Sequence, residues 1–426
     1  MKIAIIGSGI AGNVAAHHLH REHDITVFEA GEHAGGHTHT HDIELGARSY
    51  AVDTGFIVFN DRTYPNFIRL LEELGVAWQE SSMSFSVRDE AGGLEYNGTS
   101  LDTLFAQRRN LLRPSFLGMV RDILRFNREA PALLDAPDDT LTLQRFLVAQ
   151  KYGRRFVDHY LVPMGAAIWS TDPQRMLGFP ARYFVRFLHN HGMLSVNDRP
   201  VWRTVKGGSR EYVRRLTAPF ASRIRLRTPV LGLRRYPGHV MVELQDGAER
   251  FDCAFLACHS DQSLGLLRDP TRTEREVLGA IRYQENEAVL HTDTRLLPRA
   301  RGAWAAWNYH VPSVSMDRVA LTYNMNILQR LDARETLCVT LNRSEAIDPA
   351  RILKRIVYHH PLYTPEAVAA QARQRELNGK RHTGGGLTYF CGAYWRFGFH
   401  EDGVVSALEA LRHFRDDIAH PQREAA

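Results

Sequence analysis

Lysine is scarce in this chain. There are five, at positions 2, 151, 206, 354 and 380, against 48 arginines. The arginine excess is no nucleic-acid signal on its own. Net charge is only +5, and no RNP, zinc-finger or comparable motif is present. Cysteine is equally sparse. Cys253, Cys258, Cys338 and Cys391 have neither metal-pair spacing nor the density of a disulfide framework, so buried thiols are expected. No run of about 18 apolar residues occurs, which excludes a membrane-spanning helix of ordinary length. There is no internal repeat and no low-complexity segment. What remains is an ordinary globular composition, 44% hydrophobic over 426 residues, with room for two domains. The first strand is expected to start at residue 2, so no cleavable signal is expected and the expected location is the cytoplasm.

The informative residues come first. The apolar run Met1–Ile6 leads into Gly7-Ser8-Gly9-Ile10-Ala11-Gly12, then a helical stretch, then Asp24-Ile25-Thr26-Val27-Phe28 ending on Glu29. This is the strand, glycine turn, helix, strand and acid of a dinucleotide-binding βαβ unit. Gly7 permits the tight turn. Gly9 lets backbone approach a pyrophosphate, and Gly12 lets the helix pack close to the strand. The helix N-terminus then faces the phosphates, and Glu29 can accept hydrogen bonds from ribose hydroxyls.

The next segments narrow the ligand. Ala30-Gly31-Glu32-His33-Ala34-Gly35-Gly36-His37-Thr38 and Tyr50-Ala51-Val52-Asp53-Thr54-Gly55-Phe56 follow the acid. Here the chain resembles the superfamily of flavin amine oxidases, phytoene desaturases and protoporphyrinogen oxidases. That resemblance implies FAD, with Ala30, Gly36, His37, Thr38, Gly55 and Phe56 beside it. His37 stands where the superfamily usually has Arg. Towards the C-terminus, Leu387–Gly392 reads as a buried strand closing on glycine, and Gly398-Phe399-His400-Glu401-Asp402-Gly403-Val404 opens a helix. The resemblance places Gly392 and the stretch Glu401, Asp402, Gly403 and Val404 at the flavin, where a helix N-terminus would stabilise negative charge on the reduced ring. Between these ends, Lys206-Gly207-Gly208-Ser209 resembles the superfamily's turn before a helix. Ile224–Val230 resembles the strand whose Val230 backbone contacts adenine, and Val240–Leu244 and Phe251–Cys258 read as strands.

The implied fold class is α/β: a discontinuous Rossmann-type FAD-binding domain (1–75, 200–280 and 380–426) with an inserted α+β substrate domain (76–199 and 281–379). Residues 66–75, 114–135 and 141–160 read as helices. Residues 285–294, 303–310, 319–325 and 335–342 read as strands. The tail after Gln422 is expected to fray.

A flavin removes hydride itself, so an aromatic cavity is expected rather than a catalytic triad. Trp304, Trp307, Tyr309, Tyr323, Tyr389, Tyr394, Trp395 and Phe399 offer rings. Phe399, Tyr309, His360 and His400 are the catalytic candidates, Phe399 first. The stretch Glu285–His291 lacks the Lys that the resemblance would place there in an amine oxidase. His37, His39 and His41 alternate and so would share one strand face; no metal is expected there.

Residues 108–128 form a basic amphipathic segment, with Phe116, Leu117, Val120, Ile123 and Leu124 apolar and Arg121, Arg125 and Arg128 at helical spacing. Such a helix can lie on an anionic membrane, at the inner face for a cytoplasmic protein, or pack its apolar side at home. The run Trp307-Asn308-Tyr309, Thr322–Asn326, Leu341-Asn342, His360-Pro361 and Gly398–Gly403 resembles one bacterial subgroup of FAD-binding, amine-oxidase-like proteins. One branch of it is implicated in desaturating methyl-branched fatty-acyl chains on the way to furan fatty acids. Three functions stay open: hydride abstraction from a lipid-like acyl chain, oxidation of a polyamine or amino acid, and flavin binding without catalysis.

Overall fold

The computed structural model describes residues 1–135, 140–195, 197–314, 316–378 and 387–419. The expected boundary at residue 380 and the tail after Gln422 lie outside the described residues.

A five-stranded parallel sheet organises the nucleotide half. Its order is Ile224–Arg225, Asp24–Phe28, Lys2–Ile6, Cys253–Leu256 and Leu387–Phe390. The strands come from distant parts of the chain, and the central ones are mostly apolar, Ile3–Ile6, Val27–Phe28 and Cys253–Leu256, because both of their faces are covered. Ile3 and Ile5 face the helices Ile10–Leu19 and His400–Ala419 in one core. Ala4 and Ile6 face the antiparallel strands Gly232–Tyr236, His239–Leu244 and Gly247–Phe251 in another. This is the Rossmann-type α/β architecture that the glycine turn implied.

The second large sheet has seven strands, in the order Ile352–Pro361, Tyr283–His291, Cys338–Leu341, Leu321–Asn324, Trp307–Val311, Phe85–Asp89 and Glu95–Asn97. It shares the largest core with the helices Pro114–Glu129, Val162–Trp169 and Ala181–Asn190.

Three expectations need correction. The helix read over 141–160 is broken. Leu143–Ala149 ends, Lys151 takes a φ of 53°, and the Gly153 amide donates to the buried Asp122 carboxylate at 2.9 Å. Helix resumes at Arg154–Phe156 and runs through a wide turn into Val162–Trp169. The segment 114–135 is α-helical only over Pro114–Glu129, after which Ala130–Leu134 tightens into 3-10 turns. His37 and His39 precede the strand Thr40–Leu45, so they share no strand face with His41. His39 instead stacks on His33, with ring centroids 4.0 Å apart, and His41 lies tilted against its ring at 4.1 Å. Among the described residues, no group of three or more His, Cys, Asp or Glu side chains is arranged to hold a metal ion.

Candidate functional site

A cleft of about 880 Å³ opens between the two sheets. Its floor is the glycine turn. Gly7 has φ +102°, and a Cβ there would lie 2.8 Å from the Ala257 carbonyl oxygen. A Cβ on Gly9 would meet nothing within 4 Å, so this glycine leaves free space above the turn. Gly12 faces away from the cleft, pressed on the Gly7 carbonyl and on Ala257. The first amides of Ile10–Leu19 have no partner inside the helix and so suit an anion.

Glu29 sits at the C-terminal end of its strand, on the cleft wall. Its carboxylate accepts hydrogen bonds from the Ser8 amide at 3.0 Å, the Ser8 hydroxyl at 2.5 Å and the Gly31 amide at 2.8 Å. The Gly35 amide donates to the Ser8 carbonyl at 2.9 Å, which ties the second glycine pair to the first turn. Ser8, Ile10, Ala11 and Ala30 line this end with Gly36 and His37, and Val230 closes it. Gly55, Phe56 and Gly392 line the middle.

The Lys206–Ser209 turn is held by Asp53. That carboxylate accepts from the Ser209 amide and hydroxyl, from Thr40 and from Gln329. Burial still pushes its carboxyl up to about 6.

The structure separates the remaining candidates. His360 and His400 line the cleft, and Phe399 forms part of its wall while stacking on Phe187 at 5.2 Å. His400 is buried. Its Nε2 shares hydrogen bonds with Thr38 Oγ1 at 3.0 Å and the Tyr212 hydroxyl at 2.8 Å, and its ring stacks on Phe56 at 3.4 Å. Burial holds His400 well below the usual imidazole value, so it joins three segments as a neutral ring. Thr38 belongs to this knot rather than to the cleft lining.

Tyr309 does not line the cleft. It is 4% exposed, inside the core that the second sheet shares with the helices. The Glu401 carboxylate turns to the helix Pro65–Glu73 and accepts from the Asn66 amide, the Asn66 side chain and the Phe67 amide at 3.1, 2.6 and 2.9 Å. Asp402 accepts from the Phe399 amide at 2.9 Å, Gly403 packs on Ile10, and Val404 lies in the core. The side chains at the start of this helix are therefore engaged in packing and capping.

Of the candidate rings, Trp307, Tyr323, Tyr394 and Phe399 line the cleft. Trp304 instead donates its indole N–H to the Pro298 carbonyl, Tyr389 donates to Asp417, and Trp395 lies in the core behind the parallel sheet. The structure adds Trp169, His259, Tyr283, Tyr358 and Tyr363 to the cleft. Their signal in the sequence was weak, because isolated rings on strands, as Tyr283 and Tyr358 are, or on helices, as Trp169 is, usually mean core.

FAD fits this cleft. It has open space above Gly9, unpartnered helix amides, and an acid at the end of the second strand. Among the described residues, Tyr363 Oη, Tyr394 Oη and Trp307 Nε1 are buried polar atoms without a partner, and all three residues line the cleft. Such atoms suit a polar ligand.

The profile of the flavin containing amine oxidoreductase family matches residues 10–321. Solved structures share the fold over nearly the whole chain. Cyclohexylamine oxidase from Brevibacterium oxydans IH-35A is 14% identical, with a TM-score of 0.71, covering 98% of this chain and 99% of that one. A putative protoporphyrinogen oxidase from Exiguobacterium sp. 255-15 is 17% identical, with a TM-score of 0.67 and the same coverage. A CLA-producing fatty acid isomerase from P. acnes is 16% identical, with a TM-score of 0.66, covering 97% and 98%.

Proposed function

This chain belongs to the flavin containing amine oxidoreductase family, and we propose that it removes hydride from a lipid-like acyl chain, desaturating it, rather than from a free amine. As a member of that family it is an FAD-dependent oxidoreductase. Bound FAD supplies the hydride acceptor. The chain's own residues decide what reaches it.

One observation carries the reading. One stretch of the cleft wall on the side of the second sheet and its helices is apolar, lined by Ile168, Trp169, Trp307, Tyr323, Leu328 and Ile356, apart from the histidines near the end of Ile352–Pro361. Among the described residues lining the whole cleft, the one carboxylate is Glu29, at the nucleotide end. A protonated amine entering the apolar part would lose its water and meet no counter-charge. A methylene chain would gain about 25 cal/mol per Å² buried. The absence of Lys from Tyr283–His291, the bacterial subgroup resemblance, and a fatty acid isomerase among proteins of this fold support the same substrate class.

In this reading, segments 1–75, 200–280 and 380–426 hold the cofactor, and 76–199 and 281–379 build the substrate side. Acyl substrates also call for a membrane contact. Leu101, Leu111, Leu112, Leu117 and Leu124 are exposed, and between residues 108 and 128 six arginines accompany one acid, Asp122, which is 3% exposed. That surface suits peripheral contact with an anionic leaflet from the cytoplasmic side. Among the described residues no helix is long and apolar enough to cross a membrane.

A charge placed in the apolar part tests the reading. Ile356→Asp at this half-buried wall position should slow acyl-dependent flavin reduction at least tenfold with flavin content unchanged. Faster reduction by acyl chains in that variant would contradict it.

A further inference from the structure

The cofactor's pyrophosphate carries two negative charges. Among the described residues lining the cleft there is no lysine and no arginine. The wall instead carries imidazoles, and those from three places form a cluster. His37 follows the second glycine pair, His259 follows the strand Cys253–Leu256, and His359 and His360 lie near the end of Ile352–Pro361. The His37 ring centroid lies 6.0 Å from His259 and 5.5 Å from His360, and His259 lies 6.3 Å from His359. His37 also stacks on Tyr358 at 5.1 Å. The cluster borders the phosphate turn, because a Cβ on Gly36 would come within 3.0 Å of the Gly9 Cα.

We propose that this cluster replaces the missing cationic side chain: His37 takes up one proton when FAD binds, so cofactor affinity rises as pH falls.

Loss of water holds His37 down to about 4, and His259 and His360 to about 3, so the wall is uncharged at neutral pH before the cofactor arrives. A dianion against the cluster favours an imidazolium. The hydrogen bonds choose which one. Asn286 Oδ1 accepts from Asn342, so its Nδ2 is the atom facing His360 Nδ1, at 2.9 Å. His360 Nδ1 is therefore an acceptor, and this ring stays neutral. Among the imidazoles, His37 follows Gly36 on the phosphate turn, and repulsion among close rings limits the cluster to one proton.

Other groups face it. Burial keeps Tyr283 and Tyr358 protonated and pushes Cys258 up to about 11. Glu29 is bound by Ser8 and Gly31, Asp261 is exposed, and Glu285, opposite His359 in the strand register, pairs with Arg318. His33 and His39 line the same cleft, His41 lies tilted against His39, burial first and then neighbouring imidazoles and Lys354 hold His39 and His41 down, and His400 is the neutral knot. Of all these, only imidazoles ordinarily titrate between pH 5 and 8.

The sign follows from linkage. Below the value of the free protein, the proton is already present. Above the raised value of the loaded protein, none is taken up. Between the two, lowering the pH tightens binding by up to about tenfold per unit.

The test is calorimetric titration of FAD into flavin-stripped full-length protein from pH 5.5 to 8.5, in buffers of different ionisation enthalpy. The proposal expects uptake approaching one proton per FAD and a Kd that falls as pH falls. His37→Arg should retain FAD, abolish the uptake and flatten the profile, while His41→Gln should leave both unchanged. A wild-type Kd independent of pH with no buffer-dependent heat would overturn the proposal. So would a His37→Arg protein that keeps the full proton uptake. If His37→Arg fails to fold, the wild-type heats and the His41→Gln control decide.

Discussion

Gly403 of the C-terminal helix sits directly against Ile10 of the first helix: a methyl group on its Cα would lie 2.6 Å from the Ile10 Cγ2. The two helices cover one face of the parallel sheet, so this glycine sets how closely they approach. Overpacking of this kind costs about 1–3 kcal/mol. Gly403→Ala should lower the Tm by several degrees, and Gly403→Leu should lower it further and release flavin by displacing the phosphate turn. Differential scanning with flavin absorbance checks both. A Gly403→Leu protein with wild-type Tm and flavin content would contradict the packing role.

Glu29 has a double duty in this account. It fixes the turn through Ser8 and Gly31, and it lines the cleft beside the glycine turn, where the proposed cofactor's ribose would lie. Charge-assisted hydrogen bonds are worth about 1.5–3 kcal/mol each. Glu29→Ala should weaken FAD binding at least tenfold, read by fluorescence titration. Glu29→Gln, which keeps the shape and loses the charge, should fall between the two.

Asp402 is buried, and loss of water pushes its carboxyl up to about 7. Its ordinary value is near 3.9, so between about pH 4 and 7 the folded protein holds a proton that the unfolded chain releases. The contribution of this group to stability therefore falls as pH rises through that window. Asp402→Asn can still accept from the Phe399 amide. Relative to wild type, the variant should gain stability steadily from pH 4 to 7 in urea titrations. A constant difference across the window would show that Asp402 does not titrate there.

The exposed stripe of Pro114–Glu129 alternates leucine and arginine at Leu117, Arg121, Leu124 and Arg128. Arg125 belongs elsewhere. It lies 3.9 Å above the Tyr152 ring and donates to the Gln150 carbonyl at 2.7 Å. Arginines near an anionic leaflet contribute about 1 kcal/mol each. Arg121→Glu with Arg128→Glu should abolish sedimentation with anionic vesicles at low salt and leave the Tm unchanged. Wild-type protein that ignores such vesicles would remove the membrane contact from the account.

Local chemistry was legible in the sequence. The glycine turn and Glu29 lie within 29 residues of each other, and each is required by backbone geometry rather than by distant packing. Long-range roles were not legible. Glu401 follows the strand that closes on Gly392, but its partners are Asn66 and Phe67, more than 330 residues away. Asp122 sits in a helix whose apolar side reads in the sequence as Phe116, Leu117, Val120, Ile123 and Leu124, suited either to a membrane or to packing at home. The structure turns Phe116, Met119, Asp122 and Phe126 inward instead, because Asp122 holds the Gly153 amide where the next helix breaks. The histidines of the cleft come from four separate stretches, around residues 33–39, 259, 359–360 and 400, and only the fold brings them together.

The central claim is that the apolar part of the cleft takes an acyl chain, and anaerobic reduction of the bound flavin measures that most directly. A methyl-branched fatty-acyl ester, the unbranched ester of the same length, the matching alkylamine, a polyamine and an amino acid would each be mixed with the yellow protein without oxygen. The account predicts that the acyl esters bleach the flavin absorbance, the branched one fastest, and that the amines leave it unchanged. Bleaching by an amine and not by the esters would contradict it, and no bleaching by any of them would point to flavin binding without catalysis.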